Sequence, residues 1–237
     1  MDTIYGKNAV FEALKSKRKV YEMIIQDGFR DENFIQLARK NNAKITTKTR
    51  KEMDKIADKH QGVILIVEGY SYKNLDYILS NIKNKYPFII LLEGIEDPHN
   101  LGAVLRSCDA AGVDGIVITK HNSVKINSTV AKVSTGAIEH VNVVQAVNLR
   151  NVIDKLKKEG FLIVGSDSEG SKKYNEINYK CPLALIIGSE GNGLRQLTKK
   201  LCDELVNIPM KGKVNSLNAS VAAGILMFEV NRRNFNV

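Results

Sequence analysis

Apolar residues recur along this chain in two rhythms: short continuous runs, and positions spaced three and four apart. VYEMIIQ, GVILIVEG, FIILLEG, GIVIT, FLIVGSD and LALIIGS read as strands. The continuous apolar runs among them suit parallel strands buried on both faces. GKNAVFEALKSK places Ala9, Val10, Ala13 and Leu14 on one face of a helix, and LRNVIDKLKKEG is amphipathic in the same way. Helices are also expected over DENFIQLARKNN, RKEMDKIADK, PHNLGAVLRSCDAAG, STVAKVSTGAIEH, LRQLTKKLC and LNASVAAGILMFEVNRR, with further strands at AKITTKT, VNVVQA and ELVNIP. In the fourth of these helices counted along the chain, Asp97 is the expected cap, Pro98 suits the first turn and Gly112 the end.

Helices alternating with strands predict an α/β protein with a mostly parallel sheet. The alternation is interrupted once. SYKNLDYILSNIKNKYP is polar, rich in Lys and Asn, closed by Pro87, and holds one short helix carrying Leu75, Ile78 and Leu79. The expected organisation is therefore a small α/β domain over residues 1–70, a linker over 71–85 and a larger α/β domain over 86–237.

Composition narrows the class. Of 237 residues, 43% are hydrophobic, enough for a buried core, and the formal charge of +9 suits a polyanionic partner such as nucleic acid. A basic protein with no such partner is the bland alternative. The three cysteines, Cys108, Cys181 and Cys202, show no CxxC pair and no Cys/His metal spacing. They point to a reducing cytoplasm, and no metal is expected. The longest apolar runs are far shorter than the roughly 20 residues that span a bilayer, so no membrane partner is expected.

Three segments carry candidate chemistry. In LALIIGSEGNGL a strand ends at Gly188 and a glycine loop follows, but with Glu190 where a phosphate would sit. No G-x-x-x-x-G-K-[ST] occurs, so the loop is no Walker phosphate cradle. It serves either a ligand without phosphate or a plain tight turn. In KVNSLNASVAAG, Ser216 is the expected cap of the last helix, and Ser216, Ser220 and Gly224 stack with Ala223 beside them. That small stripe allows close packing, and Asn218 in the first turn needs partners. In DPHNLGAVLRS, Arg106 lies one turn beyond Gly102, placed for a phosphate or carboxylate or for a surface ion pair. All three fall at strand-to-helix connections, where open parallel sheets bind ligands.

Asn100-x-Gly102-x-x-x-Arg106, then Gly188-Ser-Glu-Gly-x-Gly193-Leu194, then Ser216-Leu-Asn218-x-Ser-Val-Ala222 resemble the three motifs of the SpoU branch of the SPOUT RNA methyltransferases. The resemblance runs from about residue 86 to 234. DPHNLGAVLRSCDAAGVDGIVI and CDELVNIPMKGKVNSLNASVA, with YGKNAVFEAL and HQGV near the start, look closest to the branch that methylates a guanosine 2′-hydroxyl in 23S ribosomal RNA. The resemblance implies a small N-terminal L30e-like domain that binds the RNA substrate. It further implies a SPOUT domain with a deep trefoil knot, a homodimer, and S-adenosylmethionine held by Gly188, Ile208 and Leu217, with Gly193 and Ser220 beside them. A sulfonium without phosphate also accounts for a tolerated Glu190. Asn100, Arg106, Glu190, Ser216 and Asn218 are the implied catalytic shell, with Arg106 either a base or a phosphate anchor and Glu190 alternatively structural. Transfer RNA is the alternative substrate, and a non-catalytic RNA-binding protein of the same fold is a further one. Lys44, Lys48, Arg50 and Lys51 are the expected RNA-backbone contacts of the first domain.

Overall fold

The computed structural model describes residues 1–213 and 216–235. Among them the elements run, in chain order, β1 (Asp2–Tyr5), α1 (Lys7–Lys15), β2 (Val20–Gln26), α2 (Glu32–Lys40), β3 (Lys44–Lys48), α3 (Arg50–Asp54) and β4 (Val63–Val67). Then follow α4 (Leu75–Ser80), β5 (Phe88–Leu92), α5 (Pro98–Ala110), β6 (Gly115–Thr119), α6 (Ser128–Val133), β7 (Val143–Ala146), α7 (Leu149–Lys158) and β8 (Leu162–Ser166). Last come β9 (Lys172–Lys173), β10 (Leu183–Ile187), α8 (Gln196–Leu201), β11 (Glu204–Asn207) and α9 (Ala219–Phe235). The contacts divide the chain into a first unit, Met1–Ser71 with Ile126–His140, and a second, Tyr72–Lys125 with Val141–Val237.

The first unit is built on a four-stranded sheet in the order β1-β4-β2-β3. Its apolar strand β4 pairs antiparallel with β1 and β2, while β2 and β3 run parallel. Ala9, Val10, Ala13 and Leu14 of α1 are buried, on the face that the three-and-four spacing marks. Phe34 of α2 meets Phe11 of α1 at 5.5 Å and Phe29 edge-on at 5.7 Å, an arrangement that suits the aromatic quadrupole. Arg18 bridges Asp2 at 2.7 Å and Glu139 at 2.8 Å, tying the later insertion to the start of the chain.

Two helices are shorter than the periodicity implies. RKEMDKIADK is helical only over Arg50–Asp54, opened by a capping box of Thr49 and Glu52. STVAKVSTGAIEH breaks after Val133, because Thr135 and Gly136 adopt positive φ of 53° and 93°, and one 3-10 turn over Ala137–Glu139 follows. Gly136 is needed there, since a Cβ would also sit 2.5 Å from that of Glu12.

The second unit holds a seven-stranded sheet in the order β7-β6-β5-β10-β8-β11-β9, with every pairing parallel. All five residues of both β5 and β10 are buried, as continuous apolar runs require at the centre of a sheet covered on both faces. Alternation sends Ile89, Leu91, Ala184 and Ile186 into one core, shared with Ile153 and Leu156 of α7. Leu75 and Ile78 of α4, within the segment read as a linker, are buried in that same core. On the other face α5 packs on α9, with Cys108 Sγ 3.7 Å from Met227 Sδ and Asn231 Nδ2 donating to the Ala111 carbonyl at 3.1 Å. Gly224 faces Ser107 here and Ala223 is fully buried, so this end of the small stripe serves helix packing within the unit.

The chain moves outward from β5 through β6 to β7, then returns across the sheet to β8, and β10 enters between β5 and β8. The strand order thus reverses beside β5, and a crevice opens at the carboxyl ends of β5, β10 and β8. Ile153 is fully buried in this scaffold. Ile153→Ala is expected to cost about 2–5 kcal/mol, the usual range for an aliphatic deletion in a packed core, read as a lowered urea midpoint.

Candidate active site

The carboxyl end of β5 runs into Glu93 and Gly94, then into α5. Asp97 caps that helix as expected, its Oδ1 accepting from His99 N at 2.9 Å. The first turn presents Asn100, which is buried. The carboxyl end of β10 runs into the glycine loop. Ser189 and Gly193 exchange both backbone hydrogen bonds, at 3.2 and 2.9 Å, so the loop closes on itself within five residues. Gly193 has φ of 59°, and a Cβ on Gly188 would lie 2.2 Å from the Gly193 carbonyl carbon. Both glycines are therefore conformational requirements, at the positions where the motif places them.

Three of the expected residues meet. Asn100 Nδ2 donates to Glu190 Oε1 at 2.6 Å, and Asn218 Nδ2 donates to Asn100 Oδ1 at 2.9 Å and also to Glu190 Oε1. One carboxylate oxygen thus joins the glycine loop to α5 and α9. Asn218, rather than Ser216, caps α9: its Oδ1 accepts from Ser220 N at 2.9 Å and Val221 N at 3.3 Å. The helix begins at Ala219, two residues later than a Ser216 cap would set it. Only an acceptor next to the first helical residue can reach those two orphan donors.

Behind the loop lies a cavity of about 360 Å³. Gly188, Gly193, Ile208, Ser216 and Leu217 all line it, together with Glu190. Ser220 does not; its N–H and hydroxyl both bond Asn218, and Ala219 and Ala222 form that wall. Arg106 is exposed and lies outside this lining, and it takes part in no ion pair among the described residues.

Two groups that sequence reasoning passed over also serve the site. Glu93 is 5% exposed and accepts from Arg195 N at 2.9 Å and from Thr198 Oγ1 at 2.7 Å, anchoring the far stem of the glycine loop to β5. Asp167, at the end of β8, lines the cavity and pairs with Lys199 at 2.7 Å. The hydrogen bond to Asp167 raises the Lys199 pKa, so the ammonium stays charged. Glu93 follows its apolar run directly in FIILLEG and Asp167 follows after Gly165 and Ser166 in FLIVGSD, a usable sign of a parallel strand ending in a crevice.

The cysteines take no part. Burial raises the Cys202 thiol to about 12 and drives Cys108 higher still. Among the described residues no cluster of His, Cys, Asp and Glu could hold a metal ion, and no helix is long and apolar enough to cross a membrane.

Comparison with known proteins supplies the family. The model of the SpoU rRNA Methylase family matches residues 87–228, and that of RNA 2′-O ribose methyltransferase substrate binding matches residues 3–73. The chain belongs to the SpoU family. A Bacillus subtilis (strain 168) protein named putative TrmH family tRNA/rRNA methyltransferase YacO is 44% identical to this SpoU chain, over 98% of it and 96% of the relative. An AdoMet-bound rRNA methyltransferase from Sinorhizobium meliloti superposes with a TM-score of 0.83 at 25% identity, covering 98% of this chain and 87% of that one. The SpoU methyltransferase AviRb from Streptomyces viridochromogenes, in complex with AdoMet, shares the fold with a TM-score of 0.86 at 23% identity, covering 98% and 90%. As a SpoU protein, this chain is an RNA methyltransferase.

The dual role of Asn218 can be separated by one substitution. Asn218→Asp keeps the capping acceptor but sets a second carboxylate against Glu190. Like charges disfavour ionisation, so both folded-state pKa values rise. The penalty is then full at pH 8 and relieved as protons bind on lowering the pH. The melting temperature of Asn218→Asp is expected to fall further below the parent at pH 8 than at pH 5; equal differences would remove the contact from the account.

Proposed function

We propose that this chain transfers a methyl group from S-adenosylmethionine to a ribose 2′-hydroxyl, in a guanosine of 23S ribosomal RNA. The observation that carries the reading is the cavity behind the glycine loop. Its lining fits the cofactor. Ile208, Leu217, Ala219 and Ala222 offer an apolar wall for an adenine, and Gly188 and Gly193 let backbone groups approach closely. Asp167, Glu169 and Glu190 against Lys199 leave an excess of negative charge facing a cationic sulfur. A lining with three carboxylates and one ammonium would repel a phosphate. The backbone groups of Gly188, Ile208 and Leu217 would hold the nucleoside.

When bound, the cofactor supplies an electrophilic methyl group on sulfur. The chain's own residues orient the acceptor. Asn100, Glu190 and Asn218 fix the loop against two helices, and Ser216 lines the same cavity. Arg106 acts as a charge that holds an RNA phosphate and stabilises the negative charge growing on the 2′-oxygen as its proton passes to water. The first unit, matched by the substrate-binding model, presents Lys44, Lys48, Arg50 and Lys51 to the RNA backbone. The deep trefoil knot implied by the family belongs to this proposal, as does a cytoplasmic setting, in keeping with three free thiols.

The enzyme works as a homodimer in this reading. Val221, Ile225 and Phe228, spaced four and three apart on α9, are 50%, 36% and 50% exposed. An apolar stripe of this kind on a solvent-facing helix suits a second copy of the same surface. Ile225→Asp with Phe228→Asp is expected to yield a monomer by light scattering; an unchanged mass would refute the pairing.

Labelled methyl transfer to total RNA, followed by mapping of the modified nucleotide, tests the reaction itself. Label in a 23S guanosine is expected, whereas label in transfer RNA alone would move the substrate. Arg106→Ala is expected to keep cofactor affinity within about twofold while methyl transfer falls about 100-fold or more, the scale for losing one charge-stabilising donor. Full activity would remove Arg106 from the site.

A further inference from the structure

Beyond the glycine loop the crevice continues. A second cavity, about 650 Å³, lies on the other side of the loop between Asn100, Glu190 and Arg195. A third, about 710 Å³, adjoins it and shares Glu93, Asn122 and Arg195 with it. All three open at the carboxyl ends of strands of the one parallel sheet.

The third cavity has an unusual lining for a surface that stays wet. Val147 and Leu197 are 71% and 75% exposed, among the most exposed large apolar residues in the described chain. Around them stand Arg150, Arg195 and Lys200. Arg150 has only a loose partner, Asp154, at 3.8 Å. Arg195 lies 4.0 Å from Glu93, and Lys200 takes part in no ion pair among the described residues. The single acidic lining residue, Glu93, is buried and already engaged by Arg195 N and Thr198. Three exposed cations thus surround two exposed aliphatic side chains, with no free carboxylate between them.

We propose that this groove binds a nucleotide flanking the methylated one in single-stranded RNA. Arg150 and Lys200 contact its phosphates, and Val147 and Leu197 with the Arg195 guanidinium give its base a surface to lie on. Unstacked bases seek an apolar or guanidinium face, and backbone phosphates seek cations at the groove edge. A duplex presents neither an unstacked base nor a single backbone to this groove. The inference rests on the proposed RNA reaction and adds a second point of contact on the strand, at the groove beside α7 and α8.

The test uses the full chain and a short fluorescent single-stranded oligouridylate, with an RNA duplex of equal length for comparison. Arg150→Gln with Lys200→Gln is expected to weaken single-strand binding at least tenfold. It also lowers the slope of log affinity against log salt by about 1.4, at about 0.7 per phosphate contact on a single strand. Val147→Ser with Leu197→Ser is expected to weaken binding several-fold at an unchanged salt slope. Lys83→Gln with Lys85→Gln removes the same charge from exposed positions outside the groove, and is expected to change affinity less than twofold. All three variants keep S-adenosylmethionine affinity within twofold by calorimetry.

Groove variants that bind the single strand like the parent would overturn the proposal. So would an equal loss in the lysine control, an equal preference for duplex, or a change in oligomeric mass for Val147→Ser with Leu197→Ser, which would make the groove a subunit contact. A parent protein that methylates no RNA defeats the reaction itself, whereas a parent that methylates RNA alongside silent groove variants defeats only this inference.

Discussion

The whole site hangs on one close approach. Gly188 ends β10 against the backbone of Gly193 and Leu194, where a Cβ would find atoms at 2.2 to 2.5 Å. That contact turns the chain back within five residues and holds the loop at the end of a central strand. Because the loop stands there, Glu190 projects to Asn100 of α5 and Asn218 of α9, and its other side walls the cavity. A bulkier residue would displace the loop, and with it both the cavity and the hydrogen-bonded bridge.

The sheet makes this placement possible. Parallel strands buried on both faces leave only their ends for chemistry, and the reversal of strand order beside β5 opens those ends. Glu93, Asn100, Asp167 and Glu190 all follow such ends, so polar groups converge without entering the apolar core. Each is held by a backbone or side-chain partner, as the buried ones, Glu93, Asn100 and Asp167, require. The loop is therefore pinned by hydrogen bonds to itself and to Asn100 where the cofactor would lie.

Much of this was legible in residue order. The period of three and four marks the buried face of α1, and the continuous apolar runs mark β5 and β10 as strands buried on both faces. Gly188 and Asn218 stand out because a glycine at a strand end and an amide in an apolar helix both need reasons, whereas Asn100 enters only with the motif resemblance. The misses have physical causes. Ser216 looked like a cap by type, but the helix begins only where Asn218 can reach two orphan amides. The helix expected through Gly136 stops because that residue takes a left-handed turn against Glu12, a tertiary contact invisible to periodicity. Sheet order and the Glu93–Thr198 anchor depend on partners about a hundred residues apart, which local pattern does not encode.

The central claim is that the closed glycine loop builds the cofactor site. Calorimetric titration of S-adenosylmethionine into Gly188→Ala tests it most directly, with Gly191→Ala as the control, since a Cβ there meets nothing within 4 Å. The account predicts lost binding for Gly188→Ala in a protein that still folds, and retained binding for Gly191→Ala. Parent-like affinity in folded Gly188→Ala would contradict it.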